Sequence, residues 1–127
     1  MKTGSCLCGA VSFEIHGPLR PVIACHCIQC RKQTGNYMSA TACADSELKF
    51  TQADGLKWFR ASGIARRGFC KDCGSVLFWK RDGSTDTSIC AGAIDGPTDT
   101  WLEGHIFCET AGDYYVITGG AYRKDQW

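Results

Sequence analysis

A chain of 127 residues, 44% hydrophobic and with a formal net charge of +1, is long enough to build its own core, and one domain over 1–127 is expected. The near-neutral charge argues against strong non-specific binding to nucleic acid or an anionic membrane, and no apolar run approaches the ~20 residues of a membrane span. Met1 to Cys6 carries no apolar stretch of signal-peptide length, so a reducing, cytoplasmic compartment is expected, where thiols stay free.

The pattern along the chain is mainly β. Val11, Phe13 and Ile15 alternate with Ser12, Glu14 and His16, the period of a half-buried strand. Val22 to Ala24 reads as a short strand, and residues 28–34 have room for one helical turn. Tyr37 to Cys43 alternates less cleanly but shows no helix period. Leu48 to Phe50 and Leu56 to Phe59 read as a pair of strands around Asp54-Gly55. Ser75 to Lys80 is followed by an Asp82-Gly83 hairpin turn toward Thr87 to Ile94. His105 to Phe107 and Tyr114 to Ile117 complete the expected strands. Fifteen glycines against three prolines punctuate them, and no repeat or linker emerges.

Ten residues are cysteines, and seven of them form three clusters: Cys6-x-Cys8, Cys25-x-Cys27-x-x-Cys30 and Cys70-x-x-Cys73. Such spacings let neighbouring sulfurs reach one ion. Tetrahedral zinc, with Zn–S bonds of ~2.3 Å, needs sulfurs about 3.8 Å apart. A disulfide framework is the competing explanation of so many cysteines, but C-x-C side chains diverge along an extended strand and rarely bridge. Seven ligands divide into four plus three. Cys6, Cys8, Cys70 and Cys73 make one closed set, leaving Cys25, Cys27 and Cys30 as a set with a vacant position. Closed sites are structural, whereas an open position is where a zinc enzyme holds water or substrate. Two alternatives stay open: the triplet joined to a cysteine of a pair, or completed by His26, His105, Cys43, Cys90 or Cys108. His26 lies between two ligand cysteines and would face away from them. The three isolated cysteines read first as small buried apolar residues.

Ser5-Cys6-x-Cys8-Gly9-Ala10-Val11, Cys25-His26-Cys27-x-x-Cys30-Arg31-Lys32 and Phe69-Cys70-x-x-Cys73-Gly74 resemble, in this order, the glutathione-dependent formaldehyde-activating enzyme family, which includes the domain of centromere protein V. The likeness runs from about residue 3 to 115. It implies a β-tent of small antiparallel sheets with zinc-binding cysteine knuckles. It implies two zincs per chain, one structural on Cys6, Cys8, Cys70 and Cys73, the other catalytic on Cys25, Cys27 and Cys30. It also implies a carbon–sulfur lyase resembling S-(hydroxymethyl)glutathione synthase, whose partners are a small thiol such as glutathione and formaldehyde or a related small aldehyde.

Three thiolates leave a zinc centre with a net charge of −1, so its expected role is to keep a substrate thiol deprotonated for attack on the aldehyde carbon. A free thiol is only about 3% thiolate at pH 7. Full deprotonation therefore gains at most ~30-fold, or about 2 kcal/mol, and further rate must come from positioning the aldehyde. Candidate helpers are Arg31 and Lys32 for a substrate carboxylate, His105 for a proton, and Trp58, Phe59, Trp79 and Trp101 as pocket walls. Each has a plainer reading, as solvated charge, satisfied histidine or core. Arg60, Arg66 and Arg67 form a basic run that reads first as a solvated face. Two other functions compete with the lyase: a non-enzymatic zinc module binding protein or nucleic acid, and a thiol or metal sensor.

Overall fold

Residues 1–127 are described by a computed structural model. The strands in chain order are β1 (Lys2–Ser5), β2 (Ser12–Ile15), β3 (Val22–Cys25), β4 (Met38–Ala44), β5 (Leu48–Gln52), β6 (Leu56–Arg60), β7 (Ala65–Cys70), β8 (Val76–Arg81), β9 (Asp86–Cys90), β10 (Leu102–Ile106) and β11 (Tyr122–Arg123). A single α-helix, α1 (Ile28–Thr34), follows β3. No helix is long and apolar enough to cross a membrane.

The chain is mostly β, as its alternation predicts. Strands β1, β2 and β5 form a three-stranded antiparallel sheet, and the other eight form a second sheet in the order β11-β10-β3-β4-β9-β8-β7-β6. Pairing in the larger sheet is antiparallel except where β10 runs parallel to both β3 and β11. The main core lies between the sheets. Val11, Phe13 and Ile15 from β2 and its approach pack against Leu77, Phe78, Ile89 and Ile94, with Phe13 and Phe78 edge to face at 5.3 Å. Cys6, Cys43 and Cys70 are buried in the same cluster.

Some expected elements differ. Leu48–Phe50 and Leu56–Phe59 are strands but not partners: β5 pairs with β2, and β6 pairs with β7. The turn between them is spent elsewhere, because the Gly55 N–H donates to the Ala10 carbonyl (3.0 Å) and the Gly55 carbonyl accepts from Lys71 (2.7 Å). Tyr114 to Ile117 is irregular rather than a strand. The strand from Thr87 ends at Cys90 in a 3₁₀ turn over Ala91–Ala93. Strands β1, β7 and β11 lie outside the elements expected from the pattern; β7, Ala-Arg-Arg-Gly-Phe-Cys, hides its period behind two adjacent arginines and a glycine.

Candidate metal centres

Each pair of cysteines sits on the tip of a hairpin. Cys6 and Cys8 occupy the turn between β1 and β2, closed by the Cys6 N–H to the Val11 carbonyl at 2.9 Å. Cys70 and Cys73 occupy the turn between β7 and β8, where the Cys70 N–H donates to Ser75 (3.0 Å) and the Gly74 N–H donates to Cys70 (2.8 Å). Gly9 and Gly74 hold the left-handed φ values of 85° and 78° that let the backbone fold back after the second cysteine of each pair. The hairpin tips meet, with the Leu7 N–H donating to the Ser75 hydroxyl at 3.0 Å. All four sulfurs lie within 4.8 Å of one another. Cys6 to Cys8 and Cys8 to Cys70 are each 3.7 Å apart, matching the ~3.8 Å edge of a tetrahedral zinc–thiolate site. The Val11 N–H donates to the Cys6 sulfur at 3.3 Å, and the Ser75 hydroxyl lies 3.2 Å from the Cys73 sulfur. That hydroxyl is the main influence drawing the Cys73 thiol down to about 5.

The triplet is built differently. Cys25 ends β3, Cys27 caps α1, and Cys30 lies in its first turn. The Cys27 sulfur accepts from the Cys30 N–H at 3.3 Å, so the ligand loop and the helix cap are one structure. The helix closes at Gly35, whose N–H donates to the Arg31 carbonyl at 2.8 Å. The three sulfurs again lie within 4.8 Å of one another. Hydrogen bonding from the Cys25 and Cys30 thiols, helped by the Cys30 backbone N–H and the charge of Arg67, brings the Cys27 thiol down to about 2 against its burial. The donor set and spacing of both clusters are those of metal sites and are consistent with zinc.

Arg67, expected from the sequence on a solvated face, is instead buried against the triplet. It lies on β7, is 5% exposed, and points at the triplet. Its Nη1 and Nη2 donate to the Cys30 sulfur at 3.5 and 3.4 Å, and Nη2 reaches Cys27 at 4.0 Å. Nη1 and Nε also donate to Gln33 (2.9 Å) and Gln29 (3.3 Å) of α1. The basic run is therefore not one face. Arg67 points inward, Arg66 lies 4.4 Å over the Trp58 ring, and Arg60 pairs with Asp82 at 2.7 Å. Adjacent residues of a strand face opposite ways, which is the signal in Arg66-Arg67 that parity alone offers.

The triplet opens on a cavity of about 1010 Å³ lined by Cys25, Cys27, Cys30, Met38, Arg67 and Trp79 together with small residues of β4. None of the four sulfurs of the first cluster lines it. Of the expected walls only Trp79 contributes. Trp58 packs on Phe78, while Phe59 and Trp101 are exposed. Arg31 and Lys32 stand in the last turn of α1 and do not line the cavity, whereas Arg20 and Arg67 do.

The sequence profile of the glutathione-dependent formaldehyde-activating enzyme family matches residues 1–110. The chain belongs to that family. Among relatives of this formaldehyde-activating family protein, an uncharacterized lyase of Schizosaccharomyces pombe is 28% identical over 76 residues. The match covers 60% of this chain and 55% of the yeast protein, so the chain spans just over half the length of that relative. A crystal structure of a Rhodobacter sphaeroides protein superposes with a TM-score of 0.63 at 23% identity, over 79% of this chain and 99% of that one, and establishes likeness of fold.

The family protein's remaining cysteines and histidines fall outside both sulfur groups. Cys43 is buried in the main core, and burial pushes its thiol up to about 11. Cys90 packs beside Cys30, Met38 and Ala40, with burial pushing it up to about 12. Cys108 begins a 3₁₀ turn. His26 does face away from its flanking cysteines. Parallel pairing of β10 with β3 sets His105 opposite Ala24 and brings the two imidazoles together, Nε2 of His26 to Nδ1 of His105 at 2.9 Å. Nε2 of His105 faces the Thr118 and Gly119 carbonyls, both at 3.1 Å, and must carry the proton. Nδ1 of His105 is then the acceptor, Nε2 of His26 the donor, and Nδ1 of His26 accepts from the Tyr115 hydroxyl at 2.5 Å. Every position is satisfied with both rings neutral, so His105 has no free nitrogen for proton transfer. Tyr115→Phe leaves Nδ1 of a wholly buried His26 without its donor. A loss of about 1–3 kcal/mol is expected, read as a lower midpoint of thermal unfolding; an unchanged midpoint would show that water replaces the phenol.

Proposed function

We propose that this family member is a single-domain carbon–sulfur lyase of thiol–aldehyde adducts. Cys6, Cys8, Cys70 and Cys73 hold a structural zinc, and Cys25, Cys27 and Cys30 hold a catalytic one. The single observation that carries this reading is that the triplet lines the large cavity, where a substrate has room beside it, and the quartet does not. Family membership and the yeast relative's description as a lyase support the reaction class.

Zinc in the triplet supplies a cation that keeps a substrate thiol deprotonated. Arg67, which lines the cavity beside Cys30, adds a buried positive charge that would offset the −1 of a three-thiolate zinc. The helix cap fixes Cys27 and Cys30 relative to each other at the edge of the cavity, so a zinc held by the three thiolates would be reached from it. A thiol such as glutathione, seated in the cavity beside formaldehyde or a related small aldehyde, would form the new S–C bond as the carbonyl π pair moves to oxygen. The thiol's proton ends on that oxygen. With both buried histidines committed to the Tyr115 chain, neither supplies this proton.

Native mass spectrometry of reduced protein, paired with thiol-dependent formaldehyde consumption measured above the unassisted rate, tests the proposal. Two zincs are expected, one of them removed by a mild chelator, with consumption lost on removal and regained with added zinc. A single chelator-resistant zinc, or consumption indifferent to stripping, refutes it.

A further inference from the structure

The cavity beside the triplet is made by small residues on a central strand. Met38, Ala40, Ala42 and Ala44 occupy alternate positions of β4 and all line it. Side chains at that spacing share one face of the sheet, and three successive alanines leave open the volume that larger residues would fill. The cross-strand register continues the same face. Ala40 lies opposite Ile23 and Cys90, Ala42 opposite Ser88, Ser88 opposite Trp79, and Trp79 opposite Arg67. Ile28, Ile64 and Trp127 line the mouth and are well exposed. Ile23, Met38, Ala40 and Ala42 make this floor mostly apolar, with Ser88 and Arg67 as polar residues on the same face.

Arg20 stands on the cavity wall away from the triplet. Its backbone N–H is held by the Ala42 carbonyl (3.0 Å), and its Nη2 donates to the Ala40 carbonyl (3.2 Å). None of the chain's ion pairs involves Arg20. Asp86 lines the same cavity, and Glu103 is also near Arg20, but neither is within ion-pairing distance; the Glu103 carboxylate accepts from the Tyr122 hydroxyl at 3.1 Å. A guanidinium carries five N–H donors in a fork suited to a carboxylate. Cys25 pairs with Met38, and Arg20 is anchored two residues further along β4, a separation of about 7 Å by strand rise.

We propose that the cavity takes a thiol carried on an aliphatic or aromatic body, with its sulfur at the triplet and a carboxylate at Arg20. The inference rests on the thiol–aldehyde reading above and names its substrate class. A tripeptide such as glutathione laid across the same floor would set amides against Met38, Ala40 and Ile23, whose side chains offer no hydrogen bond. A methylene chain or ring would instead gain from leaving water.

The test compares ω-mercaptohexanoate, ω-mercaptohexanol and glutathione on the zinc-containing protein as purified, with binding read calorimetrically and adduct formation followed in parallel. The acid is expected to bind at least about tenfold more tightly than the alcohol, the scale of a charge-assisted fork, and more tightly than glutathione. Arg20→Met should erase the acid-over-alcohol preference with metal content unchanged, and Arg20→Lys should keep part of it. Ala42→Leu, which fills the floor, should weaken both aliphatic thiols. Glutathione binding better than the acid, or a preference that survives Arg20→Met, overturns the inference. Arg20-dependent binding with no acceleration of adduct formation would instead sink the lyase reading and leave the subsite standing.

Discussion

Cys70→Ser is expected to abolish the cooperative thermal unfolding transition, whereas Cys27→Ser should keep it. The Cys70 sulfur is fully buried and 3.7 Å from Cys8, at the meeting point of two hairpin tips. One hairpin belongs to the three-stranded sheet and the other to the eight-stranded sheet, so a metal held by the quartet would fasten the two layers around the core. Structural zinc contributes roughly 10–16 kcal/mol of apparent binding energy in small sites, and a domain of this size has about 5–15 kcal/mol of net stability. A serine hydroxyl does not replace a thiolate ligand, so the loss falls on the whole fold. Cys27 lies at the cavity edge, outside the main core. Serine is itself a favoured N-cap, so Cys27→Ser removes a ligand and leaves α1 capped. Circular dichroism melts with metal analysis separate the cases: Cys70→Ser without a transition, Cys27→Ser with a transition, one metal fewer and no turnover. Equal loss of fold in both variants would make the triplet structural. A wild-type melt for Cys70→Ser would mean that the quartet does not join the sheets.

The sulfur groups were legible in the sequence because each is written in local spacing. Two residues two or three apart on a turn meet whatever the rest of the chain does, and only the joining of Cys6-x-Cys8 to Cys70-x-x-Cys73 depends on contacts distant in the chain. The alternation of Val11, Phe13 and Ile15 likewise marked the inner face of β2. What could not be read was partnership. The Asp54-Gly55 turn looks like a hairpin, but its peptide groups are committed to Ala10 and Lys71 beside the quartet, and its flanking strands enter different sheets. Tyr114 to Ile117 carries strand-forming residues, yet the Tyr115 hydroxyl is drawn to His26, 89 residues earlier in the chain, and Val116 is left 81% exposed. The cavity depends on the register that aligns the alanines of β4 with Ser88 and Trp79, and no local pattern encodes that register.

Arg67→Met should release the triplet's metal to a chelator at least about 100-fold more readily than the wild-type protein. Breaking a buried, hydrogen-bonded charge pair by removing one partner costs about 3–5 kcal/mol, which corresponds to more than two orders of magnitude in affinity. The variant takes the only guanidinium touching Cys27 and Cys30 from a centre whose thiolates outnumber the charge of a divalent ion, and it strips the Gln29 and Gln33 side-chain oxygens of their donor. Arg67→Lys keeps the charge, but one ammonium cannot reach both glutamines and both sulfurs, so its metal retention should fall between the two. Arg66→Met provides the contrast on the neighbouring residue. Arg66 is exposed over Trp58, and its loss should change stability by no more than about 0.5 kcal/mol and leave metal release unchanged. Because the quartet lies elsewhere, all three variants should retain one firmly held metal and a cooperative melt. If Arg67→Met holds its second metal as tightly as wild type, then Arg67 serves α1 packing through Gln29 and Gln33, and the triplet's charge is balanced by its occupant instead.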